Sequence, residues 1–151
     1  MTQSALNSIL EISTRALLVL YRSQQPRAIS DIAALDYLAS YAKSFNIGET
    51  NLNGDGEFNF NEFADRLHAI DSACAYLGRR GLITAHMGLS GFTYSITTSG
   101  REFCDQLTSE YATDYQLALD TVFAFENEHP DLDLSFYINK EGAKMPKVGA
   151  Q

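Results

Sequence analysis

The chain has 151 residues, 45% of them apolar, with 11 Lys and Arg against 19 Asp and Glu for a formal charge of −8. That length makes one domain, which buries roughly 68–70% of the surface its unfolded form exposes and needs no disulfide or metal for stability. The negative charge argues against a dedicated nucleic-acid binder, whose affinity comes mostly from neutralising phosphates, and suits a chain that docks on a basic partner.

The opening residues, Met1 to Asn7, lack the basic stretch of a secretory signal. The longest apolar run, Ala16 to Tyr21, covers six residues, where a membrane span needs about 20. A cytoplasmic protein without a membrane partner is expected. Ser4 to Gln24 reads as a first helix, with Leu6, Ile9, Leu10, Ile12, Ala16, Leu17, Leu20 and Tyr21 related by steps of three and four. Gln25-Pro26 stops it. Ser30 is placed to cap a second helix from Asp31 to Phe45, buried along Ile32, Leu35, Leu38, Ala39 and Ala42.

A polar loop follows over 48–61, and its sequence has the layout of an EF-hand loop. Counted from Asn51, oxygen-bearing side chains fall at loop positions 1, 3, 5, 9 and 12 (Asn51, Asn53, Asp55, Asn59 and Glu62), with Glu57 also among the candidate ligands and Gly56 at the sharp turn. A hard cation such as calcium wants 6–8 oxygens, and Glu62 would supply the bidentate one. Three features count against the site. Its first position is Asn and not Asp, Gly48 interrupts the entering helix, and no second loop exists to pair with it. The plainer reading is a turn-rich loop bent at Asn53-Gly54 and Asp55-Gly56, with no cofactor.

A third helix runs from Asn61 to Arg80, with Phe63, Leu67, Ile70, Cys74 and Leu77 spaced 4, 3, 4, 3. Gly81 ends it in a left-handed turn. Leu82 to Met87 and Phe92 to Thr97 read as two strands joined at Gly88-Leu-Ser-Gly91. Ser99-Gly-Arg-Glu102 has capping-box spacing and opens a fourth helix, with Phe103, Cys104, Leu107 and Tyr111 facing inward. Its periodicity continues, past a bend near Ser109, through Tyr115, Ala118, Leu119, Val122 and Phe123. His129-Pro130 ends the regular part. The fold class is mainly α with a small β-hairpin (α+β), a winged-helix-like single domain over residues 1–128 with extra N- and C-terminal helices. Residues 129–151, carrying Lys140, Lys144 and Lys147, read as a tail that is flexible or ordered by a partner.

The sequence contains no nucleophile elbow, phosphate-cradling glycine loop or zinc-binding helix motif, so no catalytic residue is assigned and no enzymatic activity is expected. Cys74 and Cys104 lie on apolar helix stripes as small buried residues. His68 reads as an exposed helix residue and His86 as a strand-surface one. Arg79 and Arg80, with Arg66 on the same helix, make a small basic strip leading into the hairpin, or complement that helix's C-terminus. The hairpin from Thr84 to Thr93 contains no Lys or Arg. Its apolar tip suits a protein contact, and Arg79, Arg80, Met87, Leu89 and Phe92 are the candidate partner-binding residues.

An ordered set of short motifs runs along the chain: Leu10-Glu11-Ile12 with Arg15-Ala16-Leu17, then Asp36-Tyr37-Leu38, then Arg79-Arg80-Gly81-Leu82-Ile83. Tyr94 with Thr97, and Ser109 with Tyr111-Ala112, complete the set. In these residues the layout resembles the small middle component of bacterial ABC-type three-component systems, a group overlapping the Lamassu anti-phage and anti-plasmid defence systems. Element order agrees over roughly residues 5–125. The chain departs at 48–61, where a short Pro- and His-containing segment is expected. The resemblance implies an accessory subunit that links an SMC-like ATPase to an effector, commonly a nuclease. ATP hydrolysis and DNA cutting would belong to other chains, and DNA would be met only indirectly, through the complex. The alternatives are a winged-helix transcription regulator that binds DNA itself and a calcium-responsive EF-hand-like module.

Overall fold

Every residue from Arg15 to Leu20 is buried. A helix hidden on all sides belongs at the centre of a bundle, not on its rim. The computed structural model describes residues 8–52 and 60–145. Among them are six helices and one two-stranded antiparallel hairpin: α1 (Ile9–Ser23), α2 (Ile29–Ser40), α3 (Phe60–Arg79), β1 (Ile83–Gly88), β2 (Gly91–Ile96), α4 (Thr98–Asp105), α5 (Glu110–Glu128) and α6 (Leu134–Gly142). The architecture is mainly α with a small hairpin, as expected. The central helix α1 packs against α2, α3, α4 and α5, while α6 packs against α2.

Local chemistry sets most of the boundaries. Ser8 caps α1 by accepting from the Glu11 N–H at 3.2 Å, so this helix starts at Ile9, later than the sequence periodicity indicates. The earlier part of that expectation, Ser4 to Asn7, lies outside the described residues. Gln24, at φ 61, ends α1 one residue before Pro26 is approached. The second helix begins before Ser30, at Ile29, with Ala28 in the cap position. A tertiary constraint decides this. Arg27 bridges to Tyr94 through two backbone hydrogen bonds of 2.9 and 2.8 Å, and the chain leaves that bridge directly into the helix.

The second helix also ends at Ser40, short of Phe45. Asn51 Oδ1 accepts from the amides of Lys43 and Ser44 at 2.9 and 3.2 Å, offering them a side-chain partner, and the chain turns instead of continuing. Phe45 is nonetheless buried. Both α3 and the strand pair match their sequence reading, and Gly81 at φ +74 separates them. The strands pair in unbroken register from Ile83↔Ile96 to Gly88↔Gly91 around the two-residue turn Leu89-Ser90.

The helix after the hairpin is capped by Thr97 and not by Ser99. Thr97 Oγ1 accepts from the Gly100 N–H at 3.1 Å and donates to the Gly81 carbonyl at 2.8 Å, so one hydroxyl ties the helix start to the end of α3. The expected bend near Ser109 is a break: α4 stops at Asp105, and Ser109 caps α5 by accepting from Ala112 N at 3.1 Å. Cys104 is buried, whereas Phe103 and Tyr111, read as inward, are exposed: α4 turns Gly100 and Cys104 to the core, and α5 turns Ala112 and Tyr115. Regular structure does not end at His129-Pro130. Asp133 caps α6 by accepting from Phe136 N at 3.0 Å, Leu134 and Ile138 are buried, and Tyr137 donates to the Phe45 carbonyl at 2.8 Å.

Gly100 sits where α4 crosses the base of the hairpin. A Cβ there would lie 2.3 Å from the Leu82 carbonyl oxygen and 2.6 Å from Ile96 Cγ1. Gly100→Ala is therefore expected to destabilise the fold by about 1–3 kcal/mol through overpacking, read as a lower urea midpoint at unchanged slope. An unchanged midpoint would show that α4 does not press on the hairpin this closely.

Candidate functional site

Two features stand out, a buried charge cluster that orders the helices and a hairpin that projects from them. The cluster is centred on Asp36 in α2, which is fully buried. Its Oδ1 accepts from Arg15 Nε of α1 at 2.9 Å and from the Tyr115 hydroxyl of α5 in a short contact. Its Oδ2 accepts from Arg66 Nη1 of α3 at 2.6 Å and, more weakly, from Arg15 Nη2 at 3.4 Å. Glu62 completes the charge balance, accepting from Tyr41 Oη at 2.7 Å and from Arg66 Nη2 at 3.4 Å. Two guanidiniums thus meet two carboxylates.

The protonation states follow from this geometry. Burial alone would raise the Asp36 carboxyl, but the charges of Arg15 and Arg66 and their hydrogen bonds hold it well below the usual carboxylate range. Burial works against the Arg15 and Arg66 cations too, and Asp36 outweighs it, leaving both raised. Burial, then the neighbouring carboxylate, drives the Tyr115 phenol well above its ordinary value, so it stays a donor.

The hairpin carries the surface that the sequence singled out. Ile83↔Ile96, Ala85↔Tyr94 and Met87↔Phe92 are facing pairs on one side of the ladder, and the Thr84, His86, Thr93 and Ser95 side chains lie on the other. The inner end of the apolar side joins the core, with Ile83 buried and Tyr94 and Ile96 packed against it. The outer end does not: Met87 is 71% exposed, Phe92 50%, and Leu89 at the tip fully exposed. One apolar stripe therefore starts inside the molecule and runs out beyond it. Arg79 and Arg80 stand exposed where α3 ends and the hairpin begins, and the Arg80 guanidinium lies 5.3 Å from the centre of the Tyr76 ring.

The base of the hairpin is held by Arg27, which sequence reading overlooked. Its backbone pairs with Tyr94. Its guanidinium donates to both carboxylate oxygens of Glu126 in α5, at 2.7 and 2.9 Å, and stacks over Phe123 at 5.5 Å. The Asp36 cluster was overlooked as well. Its signal was present, since Arg15 and Asp36 each interrupt an otherwise apolar helix stripe with opposite charges.

Other expected residues are distributed as follows. Arg66 is no part of a basic surface strip; it shares the face of Phe63, Ile70 and Leu77 and is buried against Asp36. Of the calcium-like set, Asn51 holds the turn after α2 and donates to Ser44 Oγ at 2.9 Å, and Glu62 belongs to the charge cluster. Asn53, Asp55, Glu57 and Asn59 lie outside the described residues. Among the described residues no group of three or more His, Cys, Asp or Glu is placed to hold a metal ion. Cys74 and Cys104 are buried free thiols, both pushed up to about 12 by burial, so neither is a thiolate at neutral pH. His68 is exposed on α3, and His86 Nε2 lies 2.7 Å from Ser95 Oγ on the polar side of the hairpin. Among the described residues no helix is long and apolar enough to cross a membrane.

A family model described as ABC-three component (ABC-3C) system Middle Component 2 matches residues 5–147. The chain belongs to that family, and it is a subunit of a multi-component ABC ATPase system with partner subunits in the same system. No curated protein matches the chain, and no solved structure does.

The charge cluster makes a stability prediction. Asp36 has a depressed folded pKa, so its contribution is present above the unfolded carboxylate pKa and is lost as pH falls through that range toward the folded value. Asp36→Asn leaves two buried guanidiniums short of an anion and should cost about 3–5 kcal/mol, measured by urea unfolding at neutral pH. The same variant should lose part of the wild-type decline in stability below about pH 4. Equal acid slopes in both proteins would mean that Asp36 is not ionised in the fold.

Proposed function

We propose that this Middle Component 2 chain is a non-enzymatic assembly subunit of a Lamassu-like defence system, joining an SMC-like ATPase to an effector nuclease in the cytoplasm. The observation that carries the reading is the hairpin. Its projecting side is apolar, it contains no Lys or Arg, and its base is clamped to α5 through Arg27. Such a surface is prepared for protein and offers a phosphate backbone almost nothing. The order α1, bridge at Arg27, α2, α3, β1, β2 supports a winged-helix-like reading of the unit. In DNA-binding versions of that arrangement, cations on the recognition helix and wing contact phosphates. Here the helix in that place, α3, exposes Asp65, His68 and Asp71. ATP hydrolysis and DNA cleavage fall to the partner chains, and contact with DNA is indirect.

The test is co-expression with the other components of the system followed by size-exclusion chromatography. A stoichiometric complex with the ATPase is expected, and Leu89→Asp with Phe92→Asp should weaken it at least about tenfold, equivalent to about 1.4 kcal/mol. A chain that stays monomeric beside all its co-expressed partners would refute the assembly role. The transcription-regulator reading predicts instead a submicromolar affinity for duplex that falls steeply between about 50 and 200 mM salt; fluorescence anisotropy with the chain alone is expected to show no such binding.

A further inference from the structure

The free edge of β1 has none of the features that normally protect an exposed strand. Arg27 covers the outer edge of β2 at Tyr94, whereas no described segment pairs with the outer edge of β1. From Ile83 to Gly88 that strand contains no charged residue and no proline, and its pairing with β2 has no bulge. Natural edge strands carry such features because a row of unpaired N–H and C=O groups is a template for another strand.

The register identifies which groups are on offer. Tyr94 gives both its N–H and its C=O to Arg27, so it makes no ladder bond to Ala85 opposite. By the alternation of an antiparallel pair, the N–H and C=O of Ala85 and Met87 point outward, away from β2. No backbone group among the described residues bonds to them. Their side chains lie on the apolar side beside Phe92, and residues 84–88 are all exposed.

The geometry points to strand addition: β1 takes an extended segment of a partner subunit, paired through the backbone of Ala85 and Met87. The inference rests on the assembly role proposed above and specifies how the contact is made. The chemistry of the segment follows from the edge. Alternate residues must be apolar, to cover Met87 and Phe92, while those between face Thr84 and His86. Arg79 and Arg80, exposed just before β1, call for an acidic residue at the end of the segment that lies beside α3. A second copy of this chain fits less well, because each carries a charge of −8 and edge-to-edge pairing would bring two such chains together.

Hydrogen exchange tests this directly, with the chain alone and in complex with its co-expressed ATPase component. The amides of Ala85 and Met87 should exchange fast in the free chain and slow by at least about 100-fold in the complex. Met87→Pro removes one outward donor without touching the ladder to β2, and Met87→Ala removes only the side chain. Proline should weaken the complex at least about tenfold more than alanine, with both free variants keeping the wild-type circular dichroism spectrum. If the complex forms but the two amides stay fast, or proline and alanine weaken it equally, strand addition is wrong while the assembly role stands. Protection of these amides in the chain alone, rising with its concentration, would make the occupant a second copy and overturn the inference. No complex at all would remove the assembly role itself.

Discussion

One buried carboxylate organises this molecule. Asp36 lies on α2, and its partners Arg15, Arg66 and Tyr115 come from α1, α3 and α5. Its role is less a matter of net stability than of selectivity, because removing charges from water offsets much of what their attraction returns. What the cluster does is penalise the alternatives. A bundle packed from apolar stripes alone tolerates helices that slide or rotate by a fraction of a turn. Here any such shift strands a guanidinium or a carboxylate in a dry interior, at a cost far above that of a misplaced methyl group.

That selectivity reaches the surface through α3. Arg66 is in the first half of this helix, and the hairpin leaves from its far end at Gly81. Thr97 then ties the returning strand to the same turn, and Arg27 joins the second strand to α5. Meanwhile α1 and α5 run parallel, their side chains meeting in rising order at Arg15–Tyr115 by way of Asp36, Arg22–Asp120 and the segment around Arg27–Glu126. The exposed pair Arg22–Asp120 contributes little energy. Arg27 matters more, being buried, doubly bonded to Glu126 and part of the backbone bridge. The projecting stripe is therefore aimed by interactions inside the bundle, and its two outermost pairs need supply no rigidity of their own.

The parts of this arrangement that were legible in the sequence are those governed by local periodicity. The apolar spacing of α3, the two β-rich runs and the glycine-bounded turn between them all depend on neighbours a few residues apart. What escaped was decided at a distance or by short signals. The start of α2 is dictated by a bridge to Tyr94, more than sixty positions away, and its end by the side chain of Asn51. The nine-residue α6 buries only Leu134, Ile138 and Gly142, too few apolar side chains for a periodic pattern to emerge. Arg66 was grouped with Arg79 and Arg80 in a basic strip because all three lie on one helix and a charged side chain ordinarily faces water. Only three-dimensional pairing with Asp36 makes its position on the buried face tolerable.

The same pairing changes what the overall charge means. Of the 11 basic side chains, seven are arginines. Arg15, Arg22, Arg27 and Arg66 each meet an Asp or Glu of this chain, so four of the seven are paired within it. Lys144 adds a further internal pair with Glu141. Composition therefore overstates the cationic surface. A protein gripping DNA through 6–10 phosphates needs about as many unencumbered cations on one face. Arg79 and Arg80 are two, at one end of a helix whose exposed face carries Asp65 and Asp71. Four arginines hold an acidic bundle together, and the surface left at the hairpin is apolar and carries no Lys or Arg.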